Sequence, residues 1–163
     1  MSRIEHPIPP LWNAGSRCLI LGSFPSVKSR QACFFYGHPQ NRFWAVMAAL
    51  TERPVPQSIE EKKRLILENG FALWDVIASC EITGSSDSSI RNVMPNDLQA
   101  ILSGSRITRI FCNGATAHRL YRKYQEPQTH LPALCLPSTS PANAAWRLPE
   151  LTERWREIIF PAE

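Results

Sequence analysis

No stretch of this 163-residue chain approaches the ~20 consecutive apolar residues that cross a bilayer. Its start, Met1-Ser2-Arg3-Ile4-Glu5-His6-Pro7, lacks the apolar core of a secretory signal. Cys-x-x-Cys is absent as well: Cys18, Cys33, Cys80, Cys112 and Cys135 are odd in number and widely spaced. That spacing supports neither a zinc site nor an iron–sulfur cluster, and reads as buried reduced thiols. There is no internal repeat, no low-complexity tract and no convincing second domain, so residues 1–163 read as one domain. The expectation is a soluble, cytoplasmic protein with no membrane partner, no metal, no cofactor and no obligate protein partner.

What is present is enough apolar material, 44% of residues, for a sizeable core without staples. The net charge is only +4, but it is unevenly placed. Residues 1–50 and 101–150 each carry +4, whereas residues 51–100 carry −3 and the remainder −1. A basic excess confined to two segments fits a surface that accepts a phosphate backbone, although a charge of +4 is also ordinary for a solvated face.

Four short apolar runs read as strands: Arg17–Leu21, Phe71–Ile77, Ile107–Cys112 and Ala133–Leu136. Helical patterns lie between them at Asn41–Leu50, Ser58–Asn69, Pro95–Leu102, Ala115–Tyr124 and Asn143–Phe160, with Pro149 bending or restarting the last. Ser58-Ile-Glu-Glu61 has the form of a capping box, and Asn69-Gly70 is a good helix stop. Pro7–Pro10 reads as an extended lead-in and Thr83–Ser89 as a polar loop. This alternation predicts an α/β fold, a three-layer α/β/α sandwich around a four-stranded parallel sheet.

Two segments follow strand candidates and carry the chemistry. The first runs Leu21-Gly22-Ser23-Phe24-Pro25-Ser26 and on through Phe34-Phe35-Tyr36-Gly37-His38-Pro39-Gln40-Asn41-Arg42-Phe43-Trp44. The second is Leu136-Pro137-Ser138-Thr139-Ser140-Pro141-Ala142-Asn143. Ends of parallel strands share one edge of the sheet, where ligands bind. Small residues and helix starts there offer N–H groups to phosphate, and the aromatic cluster offers faces to a base. Together they predict a pocket for one nucleotide.

These residues resemble the uracil-DNA glycosylase superfamily, most closely its hypoxanthine (deoxyinosine) glycosylase branch, related to the mismatch-specific uracil enzymes. The resemblance covers most of the chain in order. It implies a monofunctional DNA glycosylase that flips a deaminated base out of DNA and hydrolyses its glycosidic bond. Mismatch-specific relatives carry a water-positioning Asn where this chain has Phe24, and classical relatives carry His where it has Leu136. Hypoxanthine is therefore the expected base. Uracil opposite guanine is the alternative, and a catalytically inactive lesion-binding module is the alternative from another class.

The same resemblance implies the site. Asn41 is expected to position water, and its place before Arg42-Phe43-Trp44 also suits a helix N-cap. Asp75 stands where uracil-removing relatives have an Asn; it is expected to read the base edge, aid water activation or cap a loop. Gly22, Ser23, Phe24, Phe35 and Tyr36 are expected to hold the base, Tyr36 by stacking. Ser138, Thr139 and Ser140 are expected to hold the flanking phosphates. His38 and Asn113-Gly114 read as turn residues. Lys28, the nearest of four lysines, is not isolated as a Schiff-base nucleophile, so no lyase chemistry is expected.

Overall fold

The computed structural model describes residues 3–162. Its main sheet is built from the four apolar runs: β2 (Cys18–Gly22), β3 (Phe71–Asp75), β6 (Arg109–Asn113) and β7 (Ala133–Leu136). They pair in the order β3-β2-β6-β7, every pair parallel. Alternation of side chains along a strand sends Ile20 to one core and Leu19 and Leu21 to the other, and all three are fully buried. The first core lies under α2 (Phe43–Thr51), α3 (Ile59–Glu68) and α7 (Leu148–Ile159). The second lies under α4 (Gln99–Gly104) and α5 (Ala115–Tyr124). The predicted three-layer sandwich is the observed fold.

Local chemistry explains the helix boundaries. Ser58 caps α3 by accepting from the Glu61 N–H at 3.1 Å, while Glu61 reaches back to the Gln57 N–H. The chain leaves α3 through Gly70 at φ +78°, which suits glycine. Pro149 sits in the first turn of α7, where no backbone donor is needed, so it starts that helix rather than bending a longer one. Pro95 ends a strand, and α4 begins only at Gln99.

The expected strand Phe71–Ile77 is two strands. β3 stops at Asp75, the Val76 and Ile77 N–H groups bond the carbonyls of Gly22 and Ser23, and β4 (Ile77–Glu81) then turns away. β4 pairs antiparallel with β1 (Arg3–Glu5) and β5 (Arg91–Pro95), forming a second sheet that the sequence patterns did not suggest. This sheet matters to the site because β1 continues into His6, whose N–H bonds the Ala78 carbonyl. Two short helices were also unforeseen, α1 (Val27–Ala32) and α6 (Glu126–Thr129). Of the five thiols, Cys80 and Cys112 are buried, Cys18 is partly so, and Cys33 and Cys135 are exposed, which corrects the uniform burial expected.

Candidate active site

Parallel register aligns the strand ends. Gly22 at the end of β2 pairs with Asp75 at the end of β3, and Asn113 at the end of β6 pairs with Leu136 at the end of β7. A cavity of about 350 Å³ opens along this edge and is lined by residues of both sequence segments, among them Gly22, Phe24, Tyr36, Asn41 and Ser138, together with Asp75 of β3. Segments about a hundred residues apart thus form one site.

Asp75 is 4% exposed. Its Oδ2 lies 2.8 Å from His6 Nε2, and the His6 side chain is itself buried. His6 Nδ1 accepts from the Ile8 N–H at 3.2 Å, so in this arrangement the ring proton is on Nε2 and is donated to Asp75. Trp74 and Phe24 meet the imidazole edge-on at 6.3 and 5.9 Å. His6 was not singled out in the sequence; only the pairing of β1 with β4 brings it beside Asp75. The other carboxylate oxygen, Oδ1, lies against Gly22, where a Cβ would come within 2.3 Å of it. Glycine at position 22 is therefore a space requirement of the carboxylate.

Aromatic groups form the walls. Phe24 is 8% exposed, with the Arg30 guanidinium 5.5 Å from its ring centroid. Phe35 reaches the cavity but is packed edge-on against Phe34, and its carbonyl accepts the Trp44 indole N–H. Tyr36 stacks on Phe43 at 3.9 Å, so only its opposite face can serve a ligand. Ser23 donates to Asp87, a second carboxylate at the cavity that sequence reading did not single out. Although Asp87 is exposed to solvent, loss of hydration around its carboxyl pushes its pKa up. The Ser23 bond opposes that rise, and the charge of Asp75 adds to it.

Asn41 lines the cavity and also pins the start of α2, its Oδ1 accepting the Phe43 N–H at 2.9 Å. Both sequence expectations for its position are compatible with that geometry, because a carbonyl oxygen can accept twice. His38 holds the preceding turn, its Nδ1 accepting the Gln40 N–H.

The Pro137–Asn143 loop is framed by two residues. Asn113 bonds both the hydroxyl and the N–H of Thr139. Arg42 sends its guanidinium to the carbonyls of Thr139, Ser140, Asn143 and Trp146. Thr139 lines the cavity with Ser138 and Ser140 but is fully buried, its N–H and hydroxyl oxygen both engaged by Asn113. Ser138 and Ser140 accept the N–H groups of Ser140 and Ala142, and each retains a hydroxyl proton to donate. Leu136, standing where classical enzymes carry His, is buried in the core. Gly114 brings α5 so near the loop that a Cβ would meet Ser138 Cβ at 3.2 Å, consistent with the strand-to-helix turn expected there.

Comparison with known proteins gives the family. The model of the uracil DNA glycosylase superfamily matches residues 9–159. The chain belongs to that superfamily. It is 32% identical over 116 residues to the hypoxanthine DNA glycosylase of Methanosarcina acetivorans, which covers 70% of this chain and 73% of that protein. The hypoxanthine DNA glycosylase of Methanosarcina barkeri is 34% identical over 86 residues, about half of each protein. A solution NMR structure of a proposed uracil DNA glycosylase from M. acetivorans superposes with a TM-score of 0.80 at 27% identity, over 96% of both chains. The strand-edge cavity is thus the candidate active site of a DNA glycosylase fold.

Proposed function

We propose that this chain is a monofunctional DNA glycosylase that removes hypoxanthine from deoxyinosine. One observation carries the choice of a deaminated base over a normal one: the floor of the cavity presents an acceptor-only group. His6 occupies Asp75 Oδ2, leaving Oδ1 beside the bare Gly22 backbone. An ionised carboxylate accepts hydrogen bonds and repels lone pairs. Adenine presents a lone pair at N1, whereas its deamination product presents N1–H. Uracil presents N3–H to the same carboxylate, and it is the names of the two archaeal relatives that favour hypoxanthine.

The reaction follows from the same geometry. The flipped nucleotide enters the cavity with its base between aromatic walls, and the Ser138 and Ser140 hydroxyls face its phosphates. The bond from C1′ to the base breaks with its electron pair on the base, leaving an oxocarbenium-like sugar. Backbone N–H groups at Ser23 and Phe24 stabilise the departing base where negative charge gathers. Water held by the free lone pair of the Asn41 carbonyl attacks C1′, and its proton leaves to solvent or to the base. The products are hypoxanthine and an abasic site. The Phe43 N–H aims the Asn41 amide.

Single-turnover cleavage of duplexes bearing one deoxyinosine, one uracil or only normal bases tests this, with alkali revealing abasic sites. Wild type and Asn41→Ala are run together. Faster cleavage at inosine than at uracil, abolished in Asn41→Ala, supports substrate and residue. Retained activity in the variant removes Asn41 from the role. DNA binding without any cleavage points instead to a lesion-binding module.

A further inference from the structure

Tyr36 carries a buried hydroxyl with no hydrogen-bond partner. The Asn113 amide stands near enough to temper the rise in the Tyr36 pKa, but it makes its hydrogen bonds to Thr139 and none of bonding geometry to the hydroxyl. Tyr36 also has φ +52°, an uncommon conformation for an aromatic residue. A lone buried donor costs stability, and native proteins tolerate few of them. The position of this one is informative. The point where a Gly22 Cβ would sit is 3.3 Å from the Tyr36 hydroxyl and 2.3 Å from Asp75 Oδ1. A donor and an acceptor therefore flank the same bare backbone on the cavity floor.

We propose that Tyr36 is a specificity-determining residue whose hydroxyl donates to the ring carbonyl beside the N–H that Asp75 accepts. The proposal rests on the cavity being a pocket for a deaminated base. Deamination inverts two neighbouring groups at once: adenine offers a lone pair at N1 and donors at N6, whereas hypoxanthine offers N1–H and a carbonyl oxygen. Cytosine and uracil differ in the same way. The acceptor–donor pair matches the deaminated edge twice and opposes the amino-bearing edge twice, leaving buried groups unpaired with a normal base. Burial, reinforced by the charge of Asp75, holds the phenol protonated at working pH, so the donor is always present. The orphan hydroxyl is satisfied when the deaminated base arrives.

Tyr36→Phe keeps the ring and its stack on Phe43 while removing the oxygen. Single-turnover cleavage is measured for wild type and variant on deoxyinosine and on 6-thiodeoxyinosine, which keeps N1–H but replaces the carbonyl oxygen with a poor acceptor. Melting of the free proteins is followed alongside. The expected result is cleavage of deoxyinosine slowed about 10- to 100-fold in the variant. Wild type loses a comparable factor on the thio base, and the variant discriminates little between the two. The free variant melts no lower than wild type, because a lost orphan costs nothing. Wild-type cleavage by the variant, an equal further loss on the thio base, or a lowered melting temperature would each overturn the proposal. If wild type binds these duplexes without cleaving them, the proposed reaction alone fails. The same cycle read in duplex affinities then decides Tyr36.

Discussion

On the Pro137–Asn143 side of the cavity, polar atoms are paired within the protein: Arg42 takes four carbonyls and Asn113 takes both polar groups of Thr139. On the Gly22–Tyr36 side, the Tyr36 hydroxyl has no partner and Asp75 has one oxygen turned to the bare backbone of Gly22. The first wall is a frame whose shape is set before DNA arrives. The second holds its donor and acceptor in reserve for a base. Pairing keeps a loop rigid, whereas an unmet hydrogen bond in a buried place marks where a ligand supplies the missing half.

This contrast can be broken on either side. Gly22→Ala carries the largest expected effect, since the new Cβ falls on Asp75 Oδ1 and drives the carboxylate off the floor. Inosine cleavage should fall about 10²- to 10³-fold in single-turnover assays. Arg42→Ala should cost about 3 kcal/mol or more in urea unfolding, because four carbonyls lose a charged donor. Arg42→Lys should recover only part of that loss, since an ammonium lacks the planar fork. Asn113→Ala, freeing two groups on Thr139, should cost about 1–2 kcal/mol in the same titration.

Asp87→Asn should give the smallest effect, because solvent screens this rim carboxylate. Its pKa is raised in the folded protein, so the fold favours the protonated acid. Its contribution to stability is greatest below the unfolded value of ~3.9 and falls as pH rises through the folded value. The neutral amide avoids that fall. The variant should therefore melt slightly higher than wild type near pH 7 and level with it below the unfolded pKa. Equal melting temperatures at both pH values would remove Asp87 from this account.

Local signals made much of the fold legible. The parallel strands are uninterrupted apolar runs, α5 is amphipathic over the span expected, and the Ser58 cap and the Gly70 stop sit where their residue types place them. What stayed hidden depends on distant pairing. β1 has one apolar residue, Ile4, and is recognisable as a strand only through its pairing with β4. Val76 and Ile77 prolong an apolar pattern past the point where β3 ends, which disguised the turn into β4. His6 was invisible for the same reason: 69 residues separate it from the carboxylate it holds. Asn41 and Tyr36 were legible as site candidates because they lie within the motifs themselves, and Asp75 because its strand resembles the one that carries an Asn in uracil-removing relatives. The bonds that tie Thr139 to Asn113 were not, since the motif does not show a partner 26 residues away.

The Arg42 clamp has a consequence for ionic strength. Arg42 lies in one of the two basic segments, and Arg109, in the other, donates to the carbonyls of Ile158 and Ile159 and covers the Phe111 ring. Both guanidiniums are engaged in holding backbone. Only cations that neutralise DNA phosphates release counterions and steepen the salt dependence of binding. The affinity of this enzyme for duplex DNA should thus decline with salt more gently than its arginine count implies.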